Sequence, residues 1–209
     1  MTRKQRAQMA VDTLKRVYPD AMCSLEYQKP YELLIATRLS AQCTDARVNI
    51  VTRELFTQYP TLESLAEAPL EEIERIIHSC GLYKTKARDI LGICRMLLDE
   101  YQGVVPDSIE ALTRLPGVGR KTASLIMGDV YHQPAVVTDT HCIRICNRLG
   151  LVSEDAPYKV ELALKKILPP EESSDFCHRL VLFGREYCRA RGPRCEECPC
   201  WEFCPTYRK

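Results

Sequence analysis

The chain has 209 residues, of which 45% are hydrophobic and 27% are charged, and its formal net charge is +1. A chain of this length and composition is a globular protein with one domain or two small ones, which excludes a disordered tail, a collagen and a coiled-coil rod. The longest aliphatic run, residues 33–36, is far shorter than the ~18–20 apolar residues that cross a membrane. Residues 1–12 lack the apolar segment of a secretory signal, so we expect a cytoplasmic protein.

Hydrophobic periodicity predicts helices along almost the whole chain, because apolar residues recur at intervals of three and four. Proline and glycine mark the ends of these helices. In chain order the predicted helices cover about 2–17, 31–41, 44–57, 73–80, 87–101, 108–114, 120–131, 140–149, 160–168 and 172–187. The one strand-like run, 134–138, is predicted to be an extended loop because it has no partner strand. The predicted fold class is therefore all-α.

The charges are distributed unevenly although their total is close to zero. Residues 111–148 contain five Lys or Arg and two Asp, and residues 184–194 contain four Arg and one Glu. Basic clusters in the C-terminal half permit an anionic partner such as nucleic acid, although most charge clusters are simply solvated.

A glycine-containing turn, LPGVG at residues 115–119, joins two of the predicted helices. Gly117 and Gly119 permit positive φ and place no Cβ in the way of a close neighbour. The second helix starts near Arg120 and Lys121, so its free N–H groups form an anion site that a DNA phosphate would fit. An ordinary turn between two helices is the alternative interpretation.

Lys121 and Asp139 are candidate catalytic residues. In the first turn of a helix, burial and the positive helix end would both favour a neutral, nucleophilic amine on Lys121, whereas a solvated surface lysine is the alternative. Asp139 precedes a helix that starts near Thr140, where it can act as an N-cap and also face a cleft. The predicted helix is ~18 Å long and the following loop, 132–138, spans up to ~23 Å, so chain length permits the two side chains to meet.

Twelve cysteines in a chain without a secretory signal indicate metal binding or chemistry rather than disulfides. Four of them, in the loop 188–204, follow the spacing C-x6-C-x2-C-x5-C: Cys188, Cys195, Cys198 and Cys204. This spacing favours an iron–sulfur cluster over zinc, which usually takes two close pairs. Cys200 is interpreted as a packed thiol. A metal would stabilise a loop that presents three arginines to phosphates: Arg189, Arg191 and Arg194.

Several of these motifs occur together in a specific order. They are LSAQCTD at 39–45, GLY at 81–83, LPGVGRKTA at 115–123, VTDTH at 137–141 and the C-terminal cysteine spacing. With this set the chain resembles the endonuclease III family of helix-hairpin-helix DNA glycosylases over nearly its whole length. The resemblance implies two helical lobes with a DNA-binding cleft between them. They are a six-helix barrel at 22–133, with the helix-hairpin-helix at about 108–131, and an iron–sulfur lobe formed by 1–21 and 134–209.

The resemblance also implies roles for individual residues. Lys121 and Asp139 would be the catalytic pair, the four spaced cysteines would bind a [4Fe-4S] cluster, and Gln42 and Leu82 would fill the gap left by a flipped nucleotide. Further DNA contacts would come from Gly117, Gly119, Arg120, His141, Arg144, Arg189, Arg191 and Arg194.

The implied activity is base excision repair by a monomer. The enzyme would remove oxidised pyrimidines from double-stranded DNA and cleave the abasic site by β-elimination through a lysine Schiff base. The chain differs from usual members at Cys43, Thr138 and 127–132, and these positions bear on base preference.

Two other functions are alternatives. The related adenine-removing mismatch glycosylases lack a lysine at the position of Lys121 and carry a glutamate where this chain has Thr37. A non-catalytic iron–sulfur module that binds DNA or senses redox state could use the same turn and cysteines. Borohydride trapping distinguishes it from an enzyme, because only a Schiff base gives a trapped adduct.

Overall fold

The structure is a computed structural model in which residues 1–207 are described. These residues form eleven α-helices and contain no β-strand, which confirms the predicted all-α class. The helices are α1 (Arg3–Val17), α2 (Pro30–Leu39), α3 (Asp45–Gln58), α4 (Leu62–Ala66), α5 (Leu70–Ile77), α6 (Tyr83–Tyr101), α7 (Ile109–Leu112), α8 (Arg120–Asp129), α9 (Thr140–Arg148), α10 (Pro157–Lys165) and α11 (Ser173–Glu186). Short 3₁₀ turns lie at His78–Cys80, Pro170–Glu172 and Cys195–Glu197. Over the described part of the chain, no helix combines the length and apolar character needed to cross a membrane.

The ten predicted helices are all present, and α4 is the helix that the sequence pattern missed. It is a single turn of five residues, and the sequence pattern predicts no helix between residues 57 and 73. The helix begins with a capping box, in which the Ser64 N–H donates to Thr61 Oγ1 at 3.1 Å and the Thr61 N–H donates to Ser64 Oγ at 3.1 Å. Burial of Leu62 and Leu65 then holds this single turn in place.

The chain divides into two compact units. One consists of residues 24–131 and contains α2 to α8, whereas the other consists of residues 1–23 and the chain from 132 onward. The predicted lobes, 22–133 and 1–21 with 134–209, stay a prediction. The roles that the resemblance gives to the two lobes stay predictions.

In the unit 24–131, the long helix α6 packs against α2, α4 and α5. Its buried face includes Ala87, Ile90, Cys94 and Leu97, which confirms the predicted apolar stripe. Helix α8 packs against α2 and α7. This packing fixes the loops that precede α6 and α8, and both loops carry candidate functional residues.

In the other unit, α11 packs against α1 and α9. A Cβ added at Gly184 would lie 2.9 Å from Ile145 Cδ1 and closer still to the His141 ring, so the absence of a side chain there lets α9 and α11 approach closely. Phe176, Leu180 and Phe183 are fully buried on the same helix. This close packing fixes α9, whose N-terminus carries Asp139.

Candidate functional site

The turn between α7 and α8 is held by apolar anchors and a left-handed glycine. Leu115 and Val118 are buried, and the Val118 N–H donates to the Leu115 carbonyl at 3.1 Å. Gly117 has a φ of 67°, which confirms the predicted positive φ at this residue. Gly119 has a φ of −95°, so it does not use the positive φ that glycine permits; it is the N-cap of α8.

A partly buried ion pair packs against this turn at Gly117. Arg38 Nε donates to Asp89 Oδ2 at 2.7 Å, and the two side chains are only 14% and 18% exposed. A Cβ added at Gly117 would lie 2.6 Å from Asp89 Oδ2, so the pair requires glycine at that position. The sequence analysis missed this pair because its members are 51 residues apart.

The N-terminus of α8 is an exposed, positively polarised surface. Gly119 supplies no capping side chain, and the first turn contains no acidic residue. A Cβ added at Gly119 would meet nothing within 4 Å, so packing within the chain does not explain this glycine. The positive end of the helix, the missing Cβ and the neighbouring Arg120 together suit the close approach of a phosphate.

Lys121 lies in the first turn of α8 and its side chain is exposed. Of the two interpretations of this residue, a buried amine and a solvated surface lysine, the chain alone shows the solvated one. Its place beside the positive helix end is as predicted. An exposed amine in this turn is accessible to any molecule that lies against the turn.

Asp139 is the N-cap of α9, as predicted. Its Oδ1 accepts a hydrogen bond from the Cys142 N–H at 2.7 Å. The preceding loop is anchored by buried Val136 and Val137, and the Val137 N–H donates to Cys177 Sγ at 3.3 Å. The half-buried carboxylate is thus held in one orientation at the end of a rigid loop.

Gln42 and Leu82 lie in two loops with unusual backbone conformations. Their φ angles are 57° and 47°, in the left-handed region that costs about 1–2 kcal/mol for a residue with a side chain. Leu82 is also 59% exposed, although leucine is usually buried. Strained backbone that presents an apolar side chain to solvent is characteristic of a functional contact.

The four cysteines at 188, 195, 198 and 204 line one cavity of about 160 Å³, together with Arg148, Tyr187 and Trp201. Within residues 1–207 none of the twelve cysteines forms a disulfide. No group of three His, Cys, Asp or Glu side chains in that range converges on one point as ligands of a single ion do. Four thiols around one cavity supply the donor set that a [4Fe-4S] cluster takes, one thiolate for each iron.

Arg144 and Arg148 hold the backbone of the cysteine loop. Arg148 donates to the Arg189 carbonyl at 2.6 Å and to the Ala190 carbonyl at 3.1 Å, and Arg144 Nη2 donates to the Cys188 carbonyl at 3.0 Å. The structure therefore gives Arg144, predicted to contact DNA, a structural contact within the chain. Arg148 is one of the five basic residues at 111–148, and the sequence pattern predicts no individual role for it.

The other predicted DNA contacts in this unit differ in exposure. Arg189, Arg191 and Arg194 are exposed, and Arg194 pairs with Glu197 in the same loop. His141 is half-buried, and its ring lies 3.2 Å from Arg144 Nη2.

Cys200 is fully buried, as expected for a packed thiol. A hydrogen bond with Cys198, together with burial, raises the pKa of Cys200 far above its ordinary value. Cys200 is therefore a neutral thiol at pH 7, and it lies against one of the four candidate ligands.

The chain is similar to known proteins of one class. A family model described as "HhH-GPD superfamily base excision DNA repair protein" matches residues 35–170. Endonuclease III of Synechocystis sp. is 45% identical over 98% of this chain and 94% of its own length. Endonuclease III of Escherichia coli is 39% identical over 94% of this chain and 93% of its own length.

A solved structure described as a trapped endonuclease III–DNA covalent intermediate superposes with a TM-score of 0.93. The two chains are 45% identical, and the match covers 100% of this chain and 98% of the chain in that structure. The chain therefore belongs to the endonuclease III family within the HhH-GPD superfamily. This membership confirms the predicted enzyme class, a DNA glycosylase and abasic-site lyase.

Proposed function

We propose that the chain removes oxidised pyrimidines from duplex DNA and then cleaves the abasic strand, acting as a monomer on chromosomal DNA in the cytoplasm. The observation that carries this proposal is the exposed amine of Lys121 in the first turn of α8, beside the open N-terminus at Gly119. A relative of 45% identity has been trapped as a covalent intermediate with DNA, which supports a nucleophile in this family.

Lys121 acts as the nucleophile in this proposal. Its neutral amine attacks C1′ of the sugar, and the glycosidic bond breaks with its electron pair going to the base. The amine loses one proton to water on forming the new bond, and the leaving base takes one up from water. Ring opening gives a Schiff base between Lys121 and C1′. The Schiff base acidifies the C2′ proton, whose removal breaks the C3′–O bond and cuts the strand. DNA lying against the turn supplies the desolvation that the chain alone does not give the amine.

Asp139 acts through its charge. Positive charge develops on the sugar as the glycosidic bond breaks, and a fixed carboxylate lowers the energy of that state. The hydrogen bond from Cys142 at 2.7 Å orients the carboxylate before the reaction begins. The same carboxylate is also a base that can accept a proton during the reaction.

Gln42 and Leu82 act on the duplex rather than on the bond. A base inside a duplex must leave the stack before C1′ can be attacked, and damaged bases cost less to unpair. An exposed leucine and an exposed glutamine on left-handed loops are suited to occupy the space that the base leaves.

A [4Fe-4S] cluster is proposed for the cysteine cavity, held by Cys188, Cys195, Cys198 and Cys204. When bound it would cross-link the loop 188–204 and keep its arginines in place. Base release and elimination need no electron transfer, so this role is structural and electrostatic. The hydrogen bonds from Arg144 and Arg148 support the same loop from α9.

Replacement of one proposed ligand should remove the cluster. We expect the purified protein to be yellow-brown, and Cys195→Ser to lose iron and colour and to melt at a lower temperature. Cys200→Ser is the matched control and should keep the iron, the colour and the melting temperature, because the serine hydroxyl can replace the thiol as donor to Cys198. Iron analysis and visible absorption check this. One zinc and no iron in the wild-type protein would contradict the assignment.

Binding to duplex DNA should weaken steeply with salt despite the net charge of +1. Each phosphate that a basic side chain neutralises adds about 0.9 to the slope of log affinity against log salt. Arg191→Ala should reduce that slope by about one such step. Arg75→Ala, which removes an exposed arginine outside the basic clusters, should leave it unchanged. A flat salt dependence for the wild-type protein would refute the proposed DNA-binding surface.

The proposal as a whole is tested by a nicking assay over a panel of lesion duplexes, with borohydride trapping in parallel. Oxidised-pyrimidine duplexes should be nicked and trapped, whereas an undamaged duplex should give neither product. The mismatch-glycosylase alternative predicts adenine release instead. In the structure, the place of that family's glutamate is taken by Thr37, whose buried hydroxyl donates to the Leu33 carbonyl at 2.7 Å.

A further inference from the structure

Lys86, near the start of α6, is completely buried. Lysine is almost never fully buried without partners, because removing an ammonium group from water is costly. Burial lowers the pKa of Lys86, and burial with the adjacent Cys43 thiol raises the pKa of Cys80 to about 11. The mechanism proposed above uses none of these groups, so the buried lysine requires another explanation.

The ammonium group of Lys86 donates to three backbone carbonyls. Its Nζ lies 2.8 Å from the Leu39 oxygen, 2.8 Å from the Ala41 oxygen and 2.9 Å from the Cys80 oxygen. Three N–H bonds satisfy three acceptors, so the group is fully used. Leu39 ends α2 and Cys80 ends a 3₁₀ turn, where carbonyls lack helical partners and attract a cation.

These carbonyls belong to the two loops that present Gln42 and Leu82. Ala41 directly precedes Gln42, and Cys80 is separated from Leu82 only by Gly81. Gln42, Gly81 and Leu82 all have positive φ, and such conformations persist only where surrounding contacts enforce them. Lys86 supplies contacts of this kind to both loops at once.

We propose that Lys86 is a positioning residue that ties these two loops together, so that Gln42 and Leu82 enter the DNA stack as one rigid unit. Because Lys86 is fully buried, it acts through the loops rather than by contacting a phosphate. This inference rests on the proposed function, in which Gln42 and Leu82 occupy the space left by the extruded nucleotide. It adds a residue that sets their spacing.

The test is a double-mutant cycle on single-turnover base release from a lesion duplex. Lys86→Met should slow base release by about tenfold or more, with the rate expressed per protein molecule that borohydride can trap. Even a small displacement of the positioned side chains is costly in catalysis. In a Leu82→Ala background the same change should slow release by a smaller factor, since one of the two positioned side chains is already absent. Lys84→Met, an exposed lysine in the same turn, is the matched control for loss of one charge and should lack this coupling.

Amide hydrogen exchange supplies a readout that does not depend on activity. Lys86→Met should accelerate exchange of the Cys43 and Gly81 amides, which donate to Ser40 and His78 at 3.1 and 3.4 Å, more than exchange within α6. If wild-type protein releases no base, the proposed function fails, while exchange still decides whether Lys86 ties the loops.

Equal slowing in both backgrounds, or uniform acceleration of exchange, would overturn the positioning role. Lys86→Gln, which keeps a hydrogen-bond donor, is the second variant if Lys86→Met does not fold. Failure of both variants to fold would assign Lys86 to global stability and also overturn the proposal.

Discussion

Lys121→Gln should abolish strand cleavage and borohydride trapping while lesion-containing duplex is still bound. Only an amine can form the Schiff base, so removing it eliminates the route to β-elimination. The side chain is exposed in the first turn of α8, so glutamine should leave the helix and the adjacent turn intact. Gel-shift titration and trapping on the same duplex measure the two properties separately.

Arg120→Gln is the matched control because it changes the neighbouring residue in the same exposed turn. It should weaken binding but keep the trapped adduct, since the amine is still present. If Lys121→Gln nicks abasic DNA at the wild-type rate, the nucleophile is a different lysine and the assignment is wrong.

Local sequence signals were sufficient for most of the fold. The ten predicted helices follow from apolar spacing and from the glycines and prolines at their ends, and Asp139 as an N-cap follows from its place before α9. The positive φ of Gly117 was likewise predictable, because few residues other than glycine tolerate it. Each of these features depends on residues within about one turn of each other.

Long-range contacts account for what the sequence analysis missed. The Arg38–Asp89 pair beneath Gly117 and the bonds from Lys86 to Leu39 and Ala41 join residues about forty to fifty positions apart. No local pattern specifies such partners. One signal for Lys86 was nevertheless present, since it shares a helical stripe with Ile90, Ile93 and Leu97, and a charged residue on an apolar stripe must be paired when buried.

The exposure of Lys121 is a second feature that the sequence leaves open. A buried amine and a solvated surface lysine are both compatible with its place in α8, and the side chain is exposed. A site that acts on a large polymer leaves reactive groups open until that polymer covers them. The sequence around Lys121 therefore identifies a candidate nucleophile but does not determine whether its amine is solvated in the free protein.

Asp139→Asn should slow base release by about 10²-fold or more, while pre-formed abasic sites are cleaved with a smaller loss. Asparagine keeps the oxygen that accepts from the Cys142 N–H at 2.7 Å, and it caps helices about as well as aspartate. The variant therefore removes a negative charge without removing the cap. Abasic sites suffer less because no base has to leave and less positive charge develops on the sugar.

The comparison with Asp139→Ala separates the two roles of this carboxylate. Alanine removes both the charge and the cap, so the Asp139→Ala variant should lose about 0.5–2 kcal/mol in free energy of unfolding and melt at a lower temperature. The Asp139→Asn variant keeps the cap and should melt close to the wild-type temperature. Single-turnover base release and thermal melting of the two variants give the required data. If Asp139→Asn releases bases at the wild-type rate, the carboxylate serves only as the N-cap of α9, and the charge that stabilises the sugar must come from elsewhere.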